Sequence, residues 1–181
     1  QTLRMQRIVE DLLLLSRLET RRSSEGEAIV DIQGVLKGVV EGARQLSGEQ
    51  GHKVELETDP RLRLVGNCHE LESALANLVY NAVRYTPAGG SIRIRWWLSG
   101  SGPSFSVSDT GIGIAAEHIP RLTERFYRVD VGRSRESGGT GLGLAIVKHV
   151  LTRHDGYLTV ESEPGKGSVF TCHFPHSRAA S

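Results

Sequence analysis

Apolar side chains open the chain in a helical rhythm. Met5, Ile8, Leu12 and Leu15 recur at alternating spacings of three and four, and Val9, Leu13 and Leu18 widen the stripe. This pattern predicts one long amphipathic helix over residues 1–21, with too much apolar surface to stand alone and suited to a bundle. The stretch Thr20 to Gly26 is polar and charged with no apolar anchor, so residues 22–26 read as a hinge. Beyond it the period switches back and forth. Strands are expected near 28–30, 54–57 and 62–65, with a helix over about 33–47 between the first two. A second amphipathic helix spans about 69–85, seated by Leu71, Leu75, Leu78, Val79 and Ala82 and stopped by Pro87 and Gly89-Gly90. Strands near 91–98 and 104–108 flank a hairpin turn at 100–103. A last helix over about 142–154 ends at Gly156, and strands near 157–162 and 168–174 enclose Pro164-Gly165-Lys166-Gly167. Together these elements predict an α/β fold, a two-layer α/β sandwich over residues 27–175 preceded by the long helix, with 176–181 a disordered tail.

The helix over 69–85 carries a second, polar stripe. Asn77 and Asn81 lie four residues apart, and Arg84 and Tyr85 follow on the same side. Because the neighbouring stripe is apolar and faces a core, these amides border a cavity. A buried amide needs partners, and a ligand can provide them. Two more segments bear on the same site: Asp109-Thr110-Gly111-Ile112-Gly113, after an alternating strand, and Gly138-Gly139-Thr140-Gly141-Leu142-Gly143-Leu144, from which a helix opens. Singly, each has a plain alternative: a solvated or capping asparagine, a strand end with its turn, a flexible loop. In this order and context they point to one nucleotide site. Neither common phosphate motif fits. Leu144 stands where a dinucleotide fingerprint needs glycine, and Gly165-Lys166 lacks the leading glycine and the following Ser or Thr of a phosphate loop.

Composition removes several classes. The formal net charge is +1, which suggests no general nucleic-acid surface. No apolar run approaches the roughly 20 residues of a spanning helix. Cys68 and Cys172 are too few for a disulfide scaffold, and Cys68-His69 and Cys172-His173 lack the spacing that puts two ligands on one zinc. The abrupt helical start, with no signal peptide, suggests a segment of something longer.

The three boxes resemble the catalytic domain of sensor histidine kinases, within the wider ATPase and kinase family that includes gyrase, the Hsp90 chaperones and MutL. Glu124-Arg125-Phe126-Tyr127-Arg128-Val129-Asp130 looks like that family's phenylalanine box. The stretch from Glu117 to Asp130 looks closest to the phosphate-regulon sensor kinases of bacteria. Met5 to Glu19 looks like the second helix of a dimerisation domain, whose first helix carries the phosphoacceptor histidine and is absent here.

The resemblance implies ATP and Mg2+ as cofactors and assigns roles. Asp109 reads adenine, a carboxylate that accepts from the exocyclic amine and repels the guanine oxygen. Gly111 and Gly113 leave room for the ring, and Tyr85 covers its face. Asn81 is the magnesium ligand through its amide oxygen. Asn77 and Arg84 reach the phosphates or the metal's waters, and Arg128 is the best-placed phosphate contact. Gly139, Gly141 and Gly143 expose backbone amides at a helix start that favours an anion, with Thr140 and Leu142 in the same cofactor-binding run. The catalytic set is Asn77, Asn81, Arg84 and Arg128. Arg121, Arg125, Arg128, Arg133 and Arg135 mark a segment whose later part reads as a mobile lid, and Phe126 and Tyr127 read as packing anchors that tether the lid to the histidine-bearing domain. The expected partners are the protein's own dimerisation domain, a second copy of the full-length protein and a cognate response regulator. The expected location is cytoplasmic, with the full-length protein anchored in the inner membrane and no direct membrane contact by this segment.

One residue separates two enzyme readings. The gyrase and Hsp90 branch has a glutamate at the position of Asn77, where a carboxylate serves as general base for water; an amide cannot. Glu70 and Glu72 do not occupy that position. His69-Glu70 mimics the start of an acceptor motif but begins the asparagine helix and lacks an Arg-Thr-Pro continuation. The expected function is therefore phosphoryl transfer to a histidine, with relay to a response regulator. An ATPase of the gyrase branch and a nucleotide-sensing module without phosphotransfer are the alternatives.

Overall fold

A computed structural model describes residues 2–20, 25–129 and 139–181. The helix α1, Thr2–Thr20, leads into β1, Ala28–Val30, and α2, Ile32–Ser47. Then come β2, Lys53–Thr58, β3, Arg63–Gly66, and α3, Cys68–Tyr85. A hairpin of β4, Ser91–Ser99, and β5, Gly102–Asp109, precedes α4, Gly143–Arg153. A second hairpin, β6, Tyr157–Glu163, and β7, Gly167–His173, and the short β8, Ala179–Ala180, complete the fold. The main sheet runs β2-β4-β5-β7-β6, antiparallel except for the parallel β2–β4 pair. A smaller antiparallel sheet has the order β1-β3-β8.

Alternation along the strands makes the two layers. Ile92, Ile94 and Trp96 of β4, with Phe105 and Val107 of β5 and Phe170 and Cys172 of β7, are buried against the helices. The opposite face of β2 and β4 carries exposed ion pairs among Lys53, Glu55, Glu57, Arg93 and Arg95. These exposed pairs confer little stability but keep the open face wet. On α3, Leu71, Leu75, Leu78, Val79 and Ala82 are all buried, so its apolar stripe seats the helix as the periodicity predicts. Asn67 caps its start, the side-chain oxygen accepting from the His69 and Glu70 amides at 3.1 Å each. His154 locks that corner from α4. Its Nδ1 donates to the Val150 carbonyl at 2.7 Å, which leaves Nε2 to accept the Asn67 amide at 3.0 Å.

One expectation is corrected. The last residues are not a disordered tail: β8 pairs with β3, and Arg178 bridges Glu27 at 2.6 Å and Asp155 at 2.9 Å. Two alanines carry no strand signal, and the ion partners lie far off in sequence. The wide stripe of α1 divides. Leu15 and Leu18 are buried with Ile8 packed beside them as α1 lies on α4, whereas Leu3, Met5, Val9, Leu12 and Leu13 remain exposed. Residue 21 and residues 22–24 of the expected hinge lie outside the described residues, as do residues 130–138, which hold the proposed lid with Arg133, Arg135 and Gly138. No described helix is long and apolar enough to cross a membrane.

Candidate functional site

The polar stripe of α3 opens onto a cavity of about 580 Å3, between the end of β5, the glycine run before α4 and α1. From α3 and its end it is lined by Asn77, Asn81, Arg84, Tyr85 and Thr86; from the β5 turn by Asp109, Ile112 and Gly113. Arg128 joins them with Gly139, Thr140, Gly141 and Gly143. Gly111 and Leu142 stand behind this wall. Leu142 is buried in the core, and its amide donates to Thr140 Oγ1 at 3.2 Å. Gly111 is crowded by the Tyr85 carbonyl and by Asp109.

Asp109 ends β5 at the cavity wall. Its carboxylate accepts from the Gly111 amide at 2.8 Å and from the Ser168 backbone, and burial nevertheless raises its affinity for a proton above that of an ordinary aspartate. Desolvation disfavours the charge and the two amides partly restore it. A carboxylate so held keeps lone pairs for a donor entering the cavity. Gly113 has φ +69, and a side chain there would run into the Glu163 carbonyl, so the turn after Asp109 admits only glycine. The reason for this glycine is thus close packing against the β6–β7 turn, in addition to any ligand.

The two asparagines differ. Asn77 donates Nδ2 to the Ser73 carbonyl at 2.9 Å, which turns Oδ1 toward the glycine run; a Cβ at Gly143 would lie 2.6 Å from that oxygen. The amide and the helix start are therefore in contact through a missing side chain. Asn81 is half-buried at the cavity wall, and among the described residues its side chain makes no hydrogen bond to protein. Arg84 is largely buried, which disfavours its charge, and Arg7 and Arg128 add repulsion that Tyr85 and Asp11 offset. Arg128 Nη1 donates to the Gly139 carbonyl at 2.7 Å.

The two expected anchors differ in their surroundings within this chain. Phe126 has an exposed ring and a backbone φ of +62, unusual for a bulky residue, and its amide clasps the Gly141 carbonyl at 2.8 Å. Tyr127 lines the cavity, its hydroxyl 2.5 Å from His118 Nδ1 and the Arg121 guanidinium over its ring. Arg125 pairs with Glu19 of α1. Glu70 is committed elsewhere, in a buried pair with Arg153 at 3.0 Å.

Among the wall residues that were not anticipated are four with polar side chains beside the predicted ones. Ser168 reaches the site because β7 aligns it opposite Asp109, a register that no local pattern encodes. Thr86 is the residue after the polar stripe, and its Oγ1 is a buried oxygen with no hydrogen-bond partner among the described residues. Arg7 and Asp11 come from α1, and Asp11 accepts from Thr140 Oγ1 at 2.7 Å.

Residues 66–178 match the family of histidine kinase-, DNA gyrase B- and HSP90-like ATPases. The chain is 51% identical over 98% of its length to the phosphate regulon sensor protein PhoR of Pseudomonas aeruginosa, covering 40% of that protein. It is 40% identical over 93% of its length to the sensor-like histidine kinase SenX3 of Mycobacterium tuberculosis, covering 41% of it. The chain thus spans about two fifths of the length of these relatives. Among solved structures, full-length ShkA in complex with AMPPNP superimposes with a TM-score of 0.82 at 31% identity, over 96% of this chain and 36% of that one. The mycobacterial sensor histidine kinase MprB gives 0.72 at 27% identity, over 82% of this chain and 97% of that one.

Proposed function

The chain belongs to the histidine kinase-, DNA gyrase B- and HSP90-like ATPase family, and from that premise we propose that it is the catalytic domain of a sensor histidine kinase in phosphate-regulon signalling. In this reading α1 is the second helix of the dimerisation domain, and the acceptor histidine sits on the first helix of a longer, membrane-anchored and dimeric protein. The phosphoryl group then passes to a response regulator. The likeness to PhoR and SenX3 supports this reading.

The cavity fits a magnesium nucleotide. Its volume of about 580 Å3 lies in the range of small-molecule sites. Asp109 supplies a desolvated acceptor for an exocyclic amine. Asn81 offers a hard oxygen for magnesium, and Arg84 and Arg128 offer charge to phosphates. When bound, magnesium ATP supplies the phosphoryl group and the leaving ADP. The protein's residues hold the nucleotide in line and screen its charge, which is most of what phosphoryl transfer requires.

The observation that carries the kinase reading is Asn77. A neutral amide tied to its own helix cannot take a proton from water. Neither carboxylate at the cavity stands in its place: Asp11 enters from α1 and Asp109 from the end of β5, where it is proposed to read adenine. A site without a base for water keeps ATP intact until an imidazole arrives. The test mixes this chain with labelled ATP and a separate dimerisation domain bearing the acceptor histidine. Acid-labile, base-stable label is expected on the supplied domain and not on its acceptor His→Gln variant. Transfer is slower than in the covalently joined protein, because a tether raises effective concentration. Stoichiometric label on this chain alone would overturn the assignment and implicate His69.

A further inference from the structure

The cavity has a wall that does not belong to the sandwich. Arg7 and Asp11 of α1 line it together with Arg84 of α3 and Thr140 of the glycine run. The helix is placed there by contacts along its whole docked face. Leu15 and Leu18 are buried, the Leu18 carbonyl accepts from Arg153 Nη1 at 3.1 Å, Glu19 pairs with Arg125, and Asp11 accepts from Thr140 Oγ1 at 2.7 Å. Asp11, Leu15 and Leu18 follow at spacings of four and three, so one face of the helix makes every contact. One turn before Asp11, that face brings Arg7 to the cavity.

An arginine four residues before an aspartate on a helix ordinarily pairs with it. Here Asp11 is engaged by the Thr140 hydroxyl, and no ion pair joins Arg7 to any described residue within 4.0 Å, although Arg7 and Arg84 both still act on the Asp11 charge. Arg7 stands near enough to Arg84 for the two charges to repel, and Arg128 adds to that repulsion. Guanidinium groups of like charge gathered at a cavity define a place for a polyanion.

Resting on the nucleotide reading above, we infer that Arg7 of the dimerisation helix is a contact for the β- and γ-phosphates, so that docking of α1 and binding of a nucleoside triphosphate favour each other. The coupling is reciprocal: a triphosphate draws the helix onto the catalytic domain as strongly as the docked helix improves binding. Asp11 serves as the latch that holds Thr140 and sets the depth at which Arg7 enters. Adenosine, which lacks phosphate, is indifferent to this arrangement.

The experiment compares the wild-type chain with Arg7→Ala by calorimetry against magnesium ATP, magnesium ADP and adenosine, with hydrogen exchange of α1 followed in the presence and absence of AMPPNP. Arg7 is exposed in the nucleotide-free chain, so the melting temperature of the variant is expected to match wild type. Removing one charged contact is expected to weaken ATP roughly tenfold, ADP less and adenosine not at all. AMPPNP is expected to slow exchange in α1 of the wild type and to do so less in the variant. Equal ATP affinities, or faster α1 exchange with AMPPNP, would overturn the inference while leaving the nucleotide site standing. Failure of the wild type to bind ATP would instead overturn the nucleotide reading itself.

Discussion

Asp109→Asn is the sharpest perturbation of the site, because it alters charge while preserving shape. The carboxylate holds two backbone amides, and the substituted side chain has one carbonyl oxygen to replace two. Whichever way the amide turns, its NH2 faces either a backbone donor or the incoming amine of adenine. A hydrogen bond to a charged group contributes about 1.5–3 kcal/mol, so ATP affinity is expected to fall by about tenfold to a hundredfold or more. Stability moves the other way. Burial raises the carboxyl pKa in the folded state above its unfolded value, so the native state binds the proton more tightly. The resulting penalty is complete above the folded pKa and vanishes below the unfolded one, about 3.9. Without nucleotide, the variant is therefore expected to melt at or above the wild-type temperature at neutral pH, with the difference closing as pH falls toward that value. Calorimetry with magnesium ATP and thermal melting without it read the two effects separately. Unchanged affinity in a folded variant would remove Asp109 from the adenine role. A melting temperature below wild type at neutral pH would refute the desolvation argument.

Two further outcomes are expected. Asn81→Ala leaves the melting temperature within the range of an ordinary surface change and abolishes magnesium-dependent transfer to a supplied acceptor domain; normal transfer by a folded variant would exclude Asn81 as the metal's ligand. Burial lowers the pKa of His154, whose Nε2 must stay unprotonated to accept the Asn67 amide, so the unfolded chain gains protons first and stability drops as pH falls below about 6.5. Melting curves between about pH 7.5 and about pH 5.5 check this, with His154→Gln expected to be flatter over that window and an equally steep variant excluding His154 as the group responsible.

The parts of the fold that sequence reveals are those made by neighbours along the chain. The α3 stripe and its stop at Pro87 are local, and so are the hairpins around Gly100 and Gly165. What was not legible depends on register between distant strands or on long-range ion pairs. Ser168 joins Asp109 only because β5 and β7 align as they do, and β8 pairs with β3 beside Arg178, whose partners Glu27 and Asp155 lie far off in sequence. Phe126 shows a further limit: no local pattern signals its positive φ, which turns the ring outward in this chain while its amide holds Gly141.

The long helix teaches the most about how a pattern can be read. A stripe wide enough to include Met5, Val9, Leu12 and Leu13 as well as Ile8, Leu15 and Leu18 is more than one neighbour requires. The structure resolves it into two faces, one buried on α4 and one exposed. A helix that packs on a single partner has no reason to keep the second face apolar, since exposed leucines raise the risk of unwanted association. The exposed face therefore supports a second helix as its partner in the longer protein, and the docked face brings Arg7 and Asp11 to the nucleotide cavity. In the proposed reading, with both faces engaged, the helix lies between the proposed nucleotide cavity and the bundle proposed to carry the acceptor histidine, and its position on α4 becomes a variable that both can bias.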